Sequence, residues 1–251
     1  MEPFMIYTGN HLFHYTKFES ALKIIASGSL KFGDFKNMND IAEAYREAFG
    51  IAEDSIINKV LAEYQLICLT LDRPSRRGFA IDSLWGHYAQ KGNGVCLVFD
   101  KKKLKEQLKT QFGQNTKISK IKYVSNYVGT VFTDGYTEDE VSQYVKDNIE
   151  NIFFAKSNDW KYENEIRIIK TKEPDTNPLF YGDALMAAIL CLPKIDDFKE
   201  YKKSPEFLIM KALLPGKPIL RYTTRLGNKE LLDEDGEKTC SIIGVDWQLA
   251  I

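Results

Sequence analysis

Histidine and clustered cysteine are what this chain has least of. Its three histidines and four cysteines (Cys68, Cys96, Cys191 and Cys240) form no C-x-x-C pair and no H-E-x-x-H, so the ligand spacings of zinc sites are missing and no metal is expected. His11 and His14 lie three apart; on a strand they face opposite ways and cannot share one ion. Each cysteine sits in or beside an apolar run, which reads as reduced, buried thiols in a cytoplasmic protein. Thiolates are disfavoured there, so a cysteine nucleophile is not expected. No apolar run reaches the roughly 18 residues of a membrane span, and LMAAILCLP comes nearest. The start, MEPFMIYTGN, has neither the basic region nor the apolar core of a secretory signal. Charge of one sign is also missing. Lys+Arg of 34 against Asp+Glu of 35 leaves a net charge of -1, which gives no general field for nucleic acid. G-x-S-x-G and the P-loop are absent. The GNG at 92–94 precedes a strand instead of opening a helix, so it is no dinucleotide fingerprint.

What is present suffices for a real core: 44% hydrophobic and 12% aromatic residues. The length fits one large domain or two small ones. With no repeat or linker visible, a single domain over 1–251 is expected. Strands are predicted at HLFHYT, YQLICLTL, GVCLVFD, KISKIKYVSNY, AAILCLP and KPILRYT. FESALKIIAS reads as a helix stopped by Gly28, and SPEFLIMKALL as another helix. Lys101 to Lys109 reads as a helix with Leu104 and Leu108 inward. TEDEVSQYVKDNIENIFFAK reads as one long amphipathic helix with an acidic first turn. Ser83 caps a short helix, LWGHYAQ, and Asn39 or Asp40 caps a helix further upstream. Helices interspersed with adjacent strands give an α+β fold of mixed, mainly antiparallel sheets with flanking helices.

The sharpest signal is the run Trp160 to Ile169, read as one strand. With period two, Trp160, Tyr162, Ile166 and Ile168 fall on one face, and Glu163, Glu165 and Arg167 on the other. On an exposed sheet this is a solvated ion-pair ladder of little worth. In a cleft the two like charges push each other's pKa apart, which suits a base or a hydroxyl acceptor. Trp85 and Tyr88 are spaced i,i+3 on a helix, as core or as an aromatic platform beside His87. His14 is a satisfied core histidine or a ligand contact. KKKLKEQLK is a solvated helix face before it is a nucleic-acid patch.

Three pieces occur in order: LFHYT…SGSLKFGDFKNMND, CLT…SLWGHYAQKGNGVCLVFD and KSNDWKYENEIRII. Together they resemble a bacterial family, domain of unknown function 2971, over about His11 to Tyr222. The shared features are His14-Tyr15-Thr16, Asn39-Asp40, W-x-H-Y from Trp85 to Tyr88, and W-x-x-E-x-E-x-R from Trp160 to Arg167. That family in turn resembles the ADP-ribosyltransferase superfamily, which implies a split sheet and NAD as substrate. By this resemblance His14 stands on the first core strand with Tyr15 and Thr16 beside it. Tyr88 stands in the middle, with Trp85 and His87 (and Thr70 or Ser83). Glu165 is the catalytic acid, Glu163 precedes it by two, and Arg167 and Asn39 complete the ligand-binding set. The two-tyrosine spacing of the His-Tyr-Glu class is not evident.

The implied activity is that of an NAD-consuming ADP-ribosyltransferase or NAD glycohydrolase, of the bacterial toxin or phage-defence kind, with a protein or nucleic-acid acceptor. Glu165 would accept a hydrogen bond from the ribose 2′-hydroxyl as positive charge develops on the sugar. The competing reading is a non-catalytic module on the same fold that binds a nucleotide or a protein. A third, phosphate transfer to RNA ends, needs converging cations, for which Arg76, Arg77, Arg167 and Arg221 are the candidates.

Overall fold

The computed structural model describes residues 9–38, 56–73, 76–125, 136–172, 177–191, 198–225 and 228–232. Asn39, the cap expected at Asn39 or Asp40, Cys240 and the last expected strand, IIGVDWQLAI, lie outside them. In chain order the elements are β1 (His11–Thr16), α1 (Phe18–Ser27), β2 (Ser29–Leu30), β3 (Gly33–Asp34), α2 (Ile56–Ala62) and β4 (Tyr64–Leu71). Next come α3 (Asp82–Tyr88), β5 (Val95–Asp100), α4 (Lys101–Phe112), β6 (Thr116–Lys120), β7 (Lys122–Val124), α5 (Glu138–Asp147) and α6 (Ile149–Phe153). The rest are β8 (Ala155–Ser157), β9 (Glu165–Thr171), β10 (Leu179–Phe180), β11 (Leu185–Cys191), α7 (Phe198–Tyr201), α8 (Pro205–Leu213), β12 (Ile219–Arg225) and β13 (Asn228–Leu232). The fold is mixed α+β; β1–β4, β1–β5, β5–β11, β12–β13, β3–β4 and β6–β9 pair antiparallel, and β11–β12 and β7–β8 pair in parallel.

By its internal contacts the chain divides into two compact units. The first comprises Met1–Leu30, Leu69–Gln107 and Phe180–Ile251. Its strands lie in the order β13-β12-β11-β5-β1, with Leu71 and Thr70 of β4 paired to Leu12 and Phe13. β5 is central, and Val95 to Phe99 are all fully buried. Burial on both faces explains why GVCLVFD is a continuous apolar run without alternation. α1 packs on β5 and α8, and α3 packs on β1. Gly28, at φ 65°, ends α1 by donating to Ile24 and Ile25, as expected of a C-cap. Ser204 caps α8, with Pro205 in the first turn. α3 begins at Asp82 with Ile81 as N-cap, so Ser83 is inside the helix and not its cap.

Gly94 is needed for backbone packing within this unit. A Cβ there would lie 2.4 Å from the Thr16 carbonyl oxygen and 2.7 Å from Ala89 Cα. Neither backbone atom yields easily, so Gly94→Ala is expected to lower unfolding stability by about 1–3 kcal/mol, the usual cost of overpacking. Urea denaturation checks this; an unchanged midpoint would mean that β1 and β5 shift freely.

The second unit comprises Lys31–Cys68 and Leu108–Leu179. β9 lies between β4 and β6, and β3 adds to β4. Its core gathers Phe35, Ile57, Val60, Tyr64, Val141, Val145, Ile152, Phe153 and Ile169. Each such side chain contributes roughly 1.5–3 kcal/mol by leaving water. Thr137 and Glu140 form a reciprocal capping box at the start of α5. The single long helix expected here is instead two. Asn148 departs from helical geometry (φ −110°, ψ 20°), and its side chain donates to the Tyr144 carbonyl. A short polar side chain that competes for the backbone is a local reason to break a helix.

Candidate functional site: a buried ion cluster

The run Trp160 to Ile169 is not one strand. Asn158–Glu163 form a 3-10 turn, Asn164 takes the left-handed conformation (φ 47°, ψ 50°), and β9 begins at Glu165. Asparagine tolerates that conformation better than most residues. Trp160 and Tyr162 therefore do not alternate with the acids along a pleat; they are half-buried on the turn, with ring centroids 6.0 Å apart.

Glu163 and Glu165 nonetheless converge, because both meet Lys156 of β8. Lys156 Nζ donates to Glu163 at 2.6 Å and to Glu165 at 3.4 Å. Arg167 grips Glu165 with two donors, Nε at 2.5 Å and Nη2 at 3.1 Å, while its Nη1 donates to the Phe153 carbonyl at 2.9 Å. The Glu165 backbone N–H donates to the Tyr123 hydroxyl at 2.8 Å. Exposure decides between the two sequence readings. Arg167 is 0%, Glu163 3%, Lys156 3% and Glu165 5% exposed, so the solvated ladder is excluded. The set is a buried, charge-balanced cluster of two acids and two bases, whose worth depends on every member being present.

The expected mutual upward push of the two acids is overridden at Glu165. Burial acts to raise its pKa, but the charges of Arg167 and then Lys156, with hydrogen bonds from Arg167 and the Cys68 thiol, hold it at about 2. Burial, and next the Glu165 charge, push the Cys68 thiol well up. The Lys156 ammonium also lies 4.6 Å from the Trp160 ring centroid, a favourable cation–π placement. Lys156 and Tyr123 are not among the residues that the sequence singles out, and Cys68 stands there only as a buried thiol. Lys156 sits on a three-residue strand, and only its apolar surroundings in FFAKS hint at burial.

Apart from Asn39, which is outside the described residues, the other candidate residues lie in the first unit. Tyr15 is 8% exposed, and its hydroxyl donates to the Gly78 carbonyl at 2.6 Å. Trp85, 3% exposed, stacks on Tyr222 (centroids 5.7 Å, 11° between planes) and meets Tyr15 edge-on. Its indole N–H donates to the Phe79 carbonyl. Trp85 and Tyr15 are thus packed as core. His14, Thr16 and Tyr88 are half-buried and His87 is exposed, with the His87 and Tyr88 rings 6.3 Å apart. The structure brings Glu163, Glu165 and Arg167 together in one unit, and Tyr15 with Trp85 in the other. Among the described residues no group of three metal-ligating side chains occurs, and no helix is long and apolar enough to cross a membrane.

Together these define a mixed α+β protein with a closed ion cluster at the start of β9. Residues 84–168 match the model of a family described as a protein of unknown function (DUF2971). That stretch contains Trp85, His87, Tyr88, Glu163, Glu165 and Arg167, and excludes His14, Tyr15, Thr16 and Asn39. No curated protein and no solved structure matches the chain.

Proposed function

We propose that the chain is an NAD-consuming enzyme, an ADP-ribosyltransferase or NAD glycohydrolase on a split-sheet fold, of the toxin or phage-defence kind. The observation that carries this reading is a buried carboxylate, Glu165, held ionised by Arg167 far below neutral pH. Breaking the nicotinamide–ribose bond sends the bonding electron pair out with nicotinamide and leaves positive charge at the ribose C1′. A fixed anion on the 2′-hydroxyl stabilises that charge without reorganising. Water, or an acceptor side chain or base, then bonds to C1′ and gives up its proton. Arg167, not Lys156, makes the short contacts that keep Glu165 ionised. The 3.4 Å bond from Lys156 is the weakest of the ion-pair contacts to Glu165, and a ribose hydroxyl replaces it while Lys156 stays on Glu163. Trp160, half-buried beside Lys156, offers a ring face for nicotinamide in the same unit.

A second reading has its own support. Donors from Arg167, Lys156 and Cys68 already occupy Glu165, and a saturated cluster suits a non-catalytic module that binds a nucleotide or a protein. Incubation of the purified protein with NAD, with chromatography for free nicotinamide, separates the two. Release is expected, and Glu165→Gln is expected to lower it by about 10²-fold or more. Saturable thermal stabilisation by NAD with no nicotinamide released selects the binding module instead.

A further inference from the structure

Arg77, in the first unit and outside the ion cluster at β9, is a buried cation with half-used bonding capacity. It is 5% exposed. Its Nε donates to Asp72 Oδ1 at 3.0 Å, and its Cζ lies 5.7 Å from the centre of the Phe79 ring. Both Nη atoms are shut off from solvent and reach no hydrogen-bond acceptor among the described residues. A buried donor left unsatisfied is costly, and a guanidinium more so than an amide. Both oxygens of Asp72 already accept hydrogen bonds elsewhere. Oδ1 also accepts from Gly78 N–H at 2.7 Å, and Oδ2 accepts from Gly9 N–H at 3.0 Å. Two more cations stand in the same short loop. Arg73 and Arg76 are joined backbone to backbone, and the charge of Arg76 reaches Tyr222, whose hydroxyl donates to Asp82 at 2.8 Å.

We propose that Arg77 is an anion-binding residue whose two Nη atoms take two oxygens of a phosphoryl group. The end of a guanidinium presents its N–H groups in a fixed fork that matches two oxygens of phosphate, which an ammonium does not. Arg73 and Arg76, neighbours of Arg77 in the same loop, add positive charge along the chain there, which favours a phosphate or pyrophosphate dianion over a monovalent carboxylate. The site lies within the first unit and does not depend on NAD turnover. Because both Nη atoms are enclosed, the anion enters on local opening around Arg77.

The test uses the full chain at constant ionic strength, with inorganic phosphate, pyrophosphate, ADP and acetate as probes against a chloride control. Thermal stability is expected to rise saturably with pyrophosphate and phosphate. Hydrogen exchange is expected to slow at residues 76–79 when pyrophosphate is present. Arg77→Lys, which keeps the charge opposite Asp72, is expected to weaken pyrophosphate binding by 10-fold or more, and Arg76→Gln by less. Circular dichroism establishes that the variants are folded, and the exchange result on the unaltered chain stands even where they are not. No response to any phosphoryl probe would mean that water satisfies the Nη atoms, and the proposal fails. An equal response to acetate and phosphate, or full binding by Arg77→Lys, also overturns it. A response to ADP but not to pyrophosphate would place recognition on the nucleoside and likewise defeat the assignment.

Discussion

Replacing Arg167 with methionine is expected to lower unfolding stability by about 3–5 kcal/mol, the range for stranding one partner of a buried ion pair. The side chain is 0% exposed and spends all three of its nitrogens: two on Glu165 and one on the Phe153 carbonyl. Methionine fills much of the volume, so the loss reports charge and hydrogen bonding more than a cavity. Glu165 would keep only the long contact to Lys156 and the Cys68 thiol, too little to hold a carboxylate ionised away from water. Arg167→Lys should recover only part, since an ammonium cannot reproduce the two-pronged grip. The double variant Arg167→Met/Glu165→Leu should be more stable than the sum of its parts, because no charge is then stranded at that pair. Urea denaturation of the four proteins closes the cycle. Additive losses would show that Arg167 and Glu165 do not depend on each other.

How much of this cluster is legible in the sequence follows from where its members sit. Glu165 and Arg167 are two apart on a true strand, so period two places them together. Glu163 reaches the same point by another route, through a 3-10 turn and the left-handed Asn164, which an alternation argument does not foresee. Lys156 is invisible to local patterning. It comes from β8, a strand of three residues paired in parallel to β7, and only the tertiary fold sets it against the acids. Its absence from the sequence reading is why the acids look like a repelling pair when they are a neutralised one. The strands themselves are readable because their signals are local and strong: continuous apolar runs for β5 and β11, and alternation for β6. Thr137 with Glu140, and Gly28 at a helix end, are likewise local, since a cap is chemistry within four residues. The break at Asn148 is local too, but the apolar stripe through Val145, Ile149 and Ile152 continues across it and masks it. Trp85 shows the opposite limit. An i,i+3 aromatic pair looks alike as core or platform, and only Tyr222, 137 positions later in the chain, closes one face of the indole.

Acidification should unfold the protein through the same cluster, and the sign is fixed by Glu165. Its folded pKa is depressed, about 2 against 4.5 for a free carboxyl, because Arg167 and Lys156 outweigh the effect of burial. The unfolded chain therefore takes up this proton at higher pH than the folded one. The stabilisation is complete above about pH 4.5 and drains away as pH falls toward 2. A difference of that size corresponds to about 3 kcal/mol. Denaturation at pH steps between 5 and 2 should show stability falling throughout the window, with a slope that Glu165→Gln flattens even if it starts from a less stable protein. A carboxyl signal from Glu165 that titrates at pH 4 or above in the native protein would contradict the ionised, buried state. It would also remove the ground on which Glu165 is offered as a standing anion for sugar chemistry, since a group neutral in mild acid is not gripped by Arg167 in the manner described.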